Sequence, residues 1–350
     1  MTLSYSRAPH TEPRLRPLEI RDVIQETDDA VTLVFTSEPV DYLPGQFLTL
    51  CIPSDQTGSV SRCYSLSSSP SVDRYPAVTV KRTSGGYASN WLCDNASVGM
   101  KLDTLAPAGA FGPRHWGPDL LLCAAGSGIT PMLSIIKTAL ADHDNHVQLL
   151  YANKAAETAI FAAELAELKR RYPHRFEVVH WYEADLGLPT ASGLRAAIGD
   201  SFHGRDAYVC GPGAFMEVVE QVLTAAGQPH DKIHREVFRS LQSNPFEERP
   251  ATVATAAEAS SATVSVALDG EHYTVDWPRD TVLLDALLEH DIDAPYVCRA
   301  GECGACVYRL IEGDVRLLAN DTLDAGELAD GVRLACQSVS ITDSVRVVFD

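Results

Sequence analysis

Cys298-Arg-Ala-Gly-Glu-Cys303-Gly-Ala-Cys306 places three thiols within one short loop, and a fourth, Cys336, follows after a gap of 29 residues. Two irons need four thiolates arriving from different directions. One loop can supply three of them only if its backbone turns sharply. Gly301, Gly304 and Ala305 stand between the cysteines and let the main chain pass close to a bound group without Cβ clashes. The fourth ligand then has to come from a distant element. The pattern C-x4-C-x2-C-x29-C is the ligand spacing of plant-type [2Fe–2S] clusters. A zinc site would pair C-x2-C with a second close pair of ligands, and Cys336 stands alone.

Around this loop the chain has 350 residues, 45% hydrophobic and 21% charged, globular values that leave room for two or three cores. Its most apolar run, Leu120 to Ala125, is far too short to span a bilayer. The opening MTLSYSRAPHTEPRLRP lacks the apolar centre of a secretion leader. A cytoplasmic protein is expected, and its nine cysteines read as metal ligands and free thiols rather than disulfides. A net charge of −19 argues against nucleic acid and anionic membrane surfaces as partners. Between residues 262 and 350, six arginines face 17 acids, net −11. That excess reads either as a solvated surface or as an acidic docking face for a redox partner. Glu302, between Cys298 and Cys303, is the acid such a face would present beside the thiols.

The pattern along the chain changes twice. Residues 1–14 read as a flexible tail. From 15 to 116, short alternating strands such as Ala30–Phe35, Gly45–Ile52 and Ala77–Arg82 are separated by Gly, Pro and Ser, which predicts an antiparallel β-barrel. From 117 to 239, buried-type strands alternate with helical sequence. Asp119–Gly126 precedes an amphipathic helix over 127–142, and Val147–Lys154 precedes another over 158–173. Phe176–Glu183 and Ala207–Pro212 follow as strands, the signature of a parallel α/β sheet. Residues 240–261 are polar and rich in Pro and Ala and read as a linker. The stretch 262–350 opens with two strands around Asp269-Gly270, continues into a helix and the cysteine loop, and predicts an α+β domain.

Two further motifs carry chemistry. In RCYSLSSSP, Arg62 to Pro70, the Arg-x-Tyr-Ser core resembles the flavin signature of the ferredoxin–NADP reductase superfamily. Arg62 suits an anionic phosphate, Tyr64 an isoalloxazine face, and Ser65 the N5 region where hydride arrives. Gly85 and Gly86 then precede a helix start with Ser89 and Leu92, a backbone anion site suited to a diphosphate, which favours FAD over FMN. In AAGSGITP, Gly126 and Gly128 follow a buried strand and open a helix with Thr130 and Pro131 in its first turn. A pyrophosphate fits there, although the third Gly of a G-x-G-x-x-G motif is missing.

In this order the three motif sets resemble the electron-transfer reductase components of bacterial oxygenases. The nearest local similarity is to those serving 3-ketosteroid 9α-hydroxylases, in stretches such as VHWYE (179–183), EVFRSLQSNPF (236–246) and IDAPYVCRAGECGAC (292–306). The phenylacetyl-CoA oxygenase reductases share the architecture. The resemblance implies an antiparallel β-barrel flavin domain, an α/β parallel-sheet nicotinamide domain and a ferredoxin-like (β-grasp) [2Fe–2S] domain. It implies FAD contacts from Arg62, Cys63, Tyr64, Ser65, Leu66, Val80, Lys81, Arg82, Gly86, Tyr87, Ala88 and Ser89. For the nicotinamide it implies Gly126, Thr130, Pro131, Asn153, Cys210, Gly211 and Pro212. Ser65, Cys210 and Glu236 would flank the hydride path, with Phe238 packed on the flavin; an aromatic at such a boundary also reads as plain core. Cys298, Cys303, Cys306 and Cys336 would hold the cluster. WYEAD, at 181–185, carries acids where NADP-dependent relatives place Ser-Arg, which favours NADH, with Lys154 the one nearby cation for NADPH. The implied acceptor is a Rieske-type oxygenase. The alternative from another class is a flavin oxidase acting on its own small substrate, for which a one-electron exit serves no purpose.

Overall fold

A computed structural model of the chain describes residues 16–36, 40–199, 203–247, 261–323 and 325–349. The expected tail at 1–14 and the linker residues 248–260 lie outside that range. Two compact units form, one comprising Arg16–Pro107 and Phe111–Ser240, the other chiefly the chain from Leu241 onward.

The first sheet is antiparallel and takes β1 (Arg16–Thr27), β2 (Ala30–Thr36), β3 (Phe47–Ser54), β4 (Gly58–Ser65), β5 (Ala77–Lys81) and, after helix α1 (Tyr87–Asn95), β6 (Lys101–Thr104). Its order is β4-β3-β6-β1-β2-β5, and an antiparallel bridge between Leu66 and Val78 joins the two edges into a barrel. Closure removes the unpaired edges that an open sheet would expose. Leu18, Ile20, Leu33, Phe35, Leu50 and Ile52 fill the barrel, and α1 adds Leu92. Each such side chain contributes roughly 1.5–3 kcal/mol of burial.

The second sheet is wholly parallel. It contains β7 (Leu120–Ala125), β8 (Val147–Asn153), β9 (Phe176–Tyr182), β10 (Asp206–Cys210) and β11 (Ile233–Glu236) in the order β11-β10-β7-β8-β9. Every residue of β7 and β8 is buried, because helices cover both faces. These are α2 (Ile129–Asp142), α3 (Ala162–Arg171), the short α4 (Glu183–Leu186), α5 (Ala191–Ile198) and α6 (Gly213–Ala225). The strand order reverses between β7 and β10, the point where open α/β sheets form their ligand crevice. The helix expected from 158 starts at Ala162 instead, because Phe161 takes a left-handed φ of 60° and breaks the run. The one expected from 127 opens with a 3₁₀ turn over Gly126–Gly128.

α2 ties the barrel to this sheet within one unit. Ser134 donates to the Ser68 carbonyl at 2.6 Å and Thr138 shares a 2.8 Å bond with Ser69. Lys137, with only 10% of its side chain exposed, bridges Asp73 of the barrel at 2.7 Å and Glu164 of α3 at 2.8 Å.

The remaining chain forms a mixed sheet, β13-β12-β18-β14-β16. Its strands are β12 (Ser261–Leu268), β13 (Glu271–Pro278), β14 (Val307–Glu312), β16 (Val332–Leu334) and β18 (Ser344–Val348). β15 (Val315–Leu317) and β17 (Ser338–Ser340) pair separately, and α8 spans Ala325–Ala329. The Asp269-Gly270 turn has φ of 52° and 79°, as a tight hairpin needs. β18 runs parallel to β12 and so requires the long excursion that carries helix α7 (Leu283–Glu289) and the cysteine loop. Trp277, Leu284 and Leu287 seal that helix onto the sheet.

Candidate functional site

The cysteine loop follows α7 and is twisted by three left-handed residues, Arg299 (φ 54°), Gly301 (81°) and Gly304 (69°). Gly301 is favoured for a second reason: a Cβ there would lie a tight 3.1 Å from the Ala319 carbonyl oxygen and from Gln337 Cγ. Arg299 is held in its conformation by an ion pair with Asp285 of α7. The thiols come together in two pairs. The Cys303 thiol donates to Cys298 and brings it down to about 6, burial opposing and the Ala300, Glu302 and Cys303 backbone N–H groups assisting. The Cys306 thiol likewise lowers Cys336, with the Gln337 amide adding to the effect. Cys303 and Cys306 are pushed up by the bonds they donate and by burial. Ala300 and Glu302 N–H groups lie 3.3 and 3.4 Å from Cys298 Sγ. Among the described residues no group of three or more His, Cys, Asp or Glu closes on a single metal ion. Two pairs of thiols with backbone donors on the sulfur fit two irons, each taking two ligands.

On the barrel, the Leu66–Val78 bridge brings the end of β4 beside β5, so Arg62–Leu66 and Val80–Arg82 converge near α1. Burial pushes the Tyr64 hydroxyl up, the Arg62 cation opposing it. Ser65 and Leu66 are buried, while Arg62, Cys63 and Tyr64 are half-buried. Gly85, at φ 70°, has open space where a Cβ would sit, and Gly86 caps α1. Ser89 Oγ accepts the Thr83 N–H at 3.0 Å and so closes this turn. Ala88 is buried; Tyr87 is exposed and donates to the Pro53 carbonyl at 2.8 Å. Lys81 pairs with Asp29 at 3.6 Å and Arg82 with Asp94 at 2.6 Å, so both cations already have carboxylate partners. An open, glycine-lined helix start beside a half-buried Arg and Tyr fits a flavin with a diphosphate.

On the parallel sheet, β7 and β10 end side by side. A Cβ on Gly128 would stand 2.1 Å from the Cys210 carbonyl oxygen, and one on Gly211, at φ 156°, 2.9 Å from Ala125 Cβ. Only glycine permits that approach. Gly126, at φ 55°, faces open space, and Thr130 closes the turn by donating to the Ser127 carbonyl at 3.0 Å. Pro131 sits in the first turn of α2, and Pro212 precedes α6. Asn153 ends β8 and is 4% exposed, yet neither amide atom meets a partner in hydrogen-bonding geometry, although its side chain lies beside the Tyr151 hydroxyl. An orphaned amide at the C-terminal edge of such a sheet fits a polar ligand. Cys210 pairs in register with Glu236 of β11. Burial, with the Glu236 carboxylate adding, holds the Cys210 thiol well above its ordinary range, so it stays protonated. Phe238 is 46% exposed. The exposed Lys154 accepts the Ala184 N–H at its carbonyl, which sets it beside the acidic first turn of α4.

Glu302 departs from expectation. It is half-buried and accepts hydrogen bonds from Gln242 and Ser243 instead of standing free in solvent. Sequence reading also missed Lys137, whose two partners come from distant segments.

Known proteins match the whole arrangement. Residues 18–112 match an oxidoreductase FAD-binding domain, 122–221 an oxidoreductase NAD-binding domain, and 266–340 a 2Fe-2S iron-sulfur cluster binding domain. The chain is 50% identical over 341 residues to the ferredoxin reductase component of a 3-ketosteroid-9-alpha-monooxygenase from Mycolicibacterium smegmatis, covering 95% of this chain and 96% of that one. It is 33% identical to one component of the 1,2-phenylacetyl-CoA epoxidase of Escherichia coli K12, over 95% of this chain and 97% of that one. Phthalate dioxygenase reductase has the same fold, with a TM-score of 0.57 at 23% identity, covering 96% of this chain and 98% of that one.

Proposed function

The chain belongs to the family of ferredoxin reductase components of 3-ketosteroid-9-alpha-monooxygenases, and from that premise we propose that it draws electrons from NADH and delivers them singly to a Rieske-type oxygenase that hydroxylates a 3-ketosteroid. It is an oxidoreductase with FAD-, NAD- and [2Fe–2S]-binding domains. Among the described residues no helix is long and apolar enough to cross a membrane. We infer domains at 15–116, 117–239 and 262–350, with a linker at 240–261.

When bound, FAD takes two electrons from NADH as hydride and the cluster carries one at a time. The chain's own residues bind and orient. Arg62 would neutralise phosphate charge, and the open turn at Gly85 would leave room for the diphosphate at the α1 N-terminus. Tyr64 would lie along the flavin and Ser65 would offer it a hydroxyl. Gly126 and Gly128 admit the NADH pyrophosphate to the start of α2, and Asn153 gains a polar partner. Cys210 stays a neutral thiol beside the nicotinamide, where a thiolate would repel the hydride donor's electrons. Glu236 would supply negative charge beside a bound nicotinamide. Phe238 would cover the flavin face. Lys154, set beside acids, offers a poor 2′-phosphate site, so NADH is the donor. The four cysteines hold the cluster.

The observation that carries this reading is the pairing of Cys298 with Cys303 and of Cys306 with Cys336. The purified chain should release FAD, not FMN, by mass spectrometry. Anaerobic NADH should bleach its flavin absorbance and raise a [2Fe–2S] EPR signal. Reconstitution with a 3-ketosteroid oxygenase should couple NADH consumption to hydroxylated steroid. Rapid NADH oxidation by oxygen, with no cluster signal and no coupling, would favour the oxidase reading.

A further inference from the structure

The first residues after the nicotinamide domain are fastened to the cysteine loop. Gln242 and Ser243 donate their backbone N–H groups to one oxygen, Glu302 Oε2, at 3.0 and 3.4 Å. The Ser243 hydroxyl lies 3.2 Å from the same oxygen and 3.4 Å from the Cys298 carbonyl oxygen, sharing its single proton between them. From the other side, the Glu302 N–H reaches Cys298 Sγ at 3.4 Å. Asn244 continues the ordered stretch, accepting the Phe246 N–H at 3.2 Å and donating to Glu247 at 2.8 Å. A carboxylate that gathers three donors from two adjacent residues makes charge-assisted bonds, about twice as strong as neutral ones. Ser243 lies five positions after Phe238 in the chain.

We propose that Glu302 is a positioning residue whose carboxylate clasps Gln242 and Ser243, fixing the cysteine loop to the stretch of chain that follows Phe238. The clasp leaves only residues 239–241 between Phe238 and the clasped pair and so sets the rate at which electrons pass from flavin to cluster. This rests on the electron-transfer reading above. It assigns Glu302 to transfer within the molecule and not to docking of the oxygenase.

The test uses the full-length holoprotein and two readouts. In hydrogen exchange, the Gln242 and Ser243 amides should be protected. Glu302→Ala should speed their exchange by roughly tenfold or more, the effect of losing one hydrogen bond to a charged group. Glu302→Gln should retain part of the protection, because its amide oxygen still accepts. In stopped flow with NADH, flavin reduction should be unchanged, cluster reduction should slow several-fold in Glu302→Ala, and Glu302→Gln should fall between. Ser243→Ala removes one donor without changing any residue of the cysteine loop and should give a smaller effect of the same sign in both readouts. It carries the test if Glu302→Ala fails to load its cluster. Unchanged exchange at 242–243 would overturn the clasp. Faster exchange with undiminished cluster reduction would overturn its positioning role. A wild-type chain without a cluster EPR signal would overturn the functional reading instead, and exchange alone would still decide the clasp.

Discussion

The cysteine loop and the glycine turns at the β7–β10 edge both receive groups that the chain does not make, and they are built in opposite ways. In the loop the candidate ligands are side chains. Left-handed backbone at Arg299, Gly301 and Gly304 turns the segment that carries three of the four thiols. At the sheet edge what matters is the side chains that are missing. Gly128 and Gly211 let two strand ends touch where any Cβ would collide. A thiol is a part, whereas a glycine is a clearance. The first is damaged by removal and the second by addition.

Removing a part should give the largest effect. Cys303→Ala leaves Cys298 without its paired thiol and should abolish the [2Fe–2S] EPR signal, while flavin stays bound and NADH–ferricyanide activity continues. A persistent signal would break the contrast, since the loop would then tolerate a missing ligand. Filling a clearance comes next. Gly128→Ala puts a Cβ 2.1 Å from the Cys210 carbonyl oxygen, an overpacking expected to cost about 3 kcal/mol. It should lower Tm and slow flavin reduction by NADH, with the cluster signal intact. Gly126→Ala meets open space and bears only the left-handed penalty, roughly 1–2 kcal/mol. Equal Tm losses in the two variants would show that strain, not clearance, governs the turn.

The smallest effect should come from a residue in neither site. Glu26 of β1 accepts from Thr32 at 2.7 Å, and burial raises its carboxyl, with Glu164 adding and the Thr32 and Phe161 bonds opposing. A carboxyl raised by folding costs stability as pH rises past its ordinary value of 4.5. Glu26→Gln keeps an acceptor for the Thr32 hydroxyl and removes that cost. Its Tm should exceed wild type at pH 7, the gain should vanish below pH 4.5, and both sites should be unaffected.

The contrast also explains what the sequence made legible. Thiol ligands declare themselves by type and spacing, so the cluster loop was readable before any fold was known. Arg62, Tyr64 and the Gly85–Gly86 pair were nearly as clear, because charge, ring and flexible turn recur in order. Clearances are quieter. Gly128 gained meaning only from the strand before it and helix after it, and its true neighbour, Cys210, lies 82 positions away. Glu302 looked like a solvated loop acid because a sequence shows a charge but not its partner. Phe161 ended a helix run that its apolar periodicity would have continued, since an aromatic in left-handed backbone leaves no local mark. α2 read as amphipathic, yet Ser134, Lys137 and Thr138 on its polar face meet barrel partners rather than water.

That polar face has a practical meaning for anyone cutting the molecule apart. Expressed alone, the nicotinamide half would keep Glu164 but lose Asp73 from Lys137, and Ser134 and Thr138 would lose Ser68 and Ser69. The barrel alone would show the matching gaps. Only the stretch beyond Leu241 leaves this bonding intact when removed. For module exchange, whether by gene fusion in nature or by engineering, the interchangeable cassettes are therefore two, not three: the flavin and nicotinamide halves travel together, and the iron–sulfur domain is the piece that can be traded.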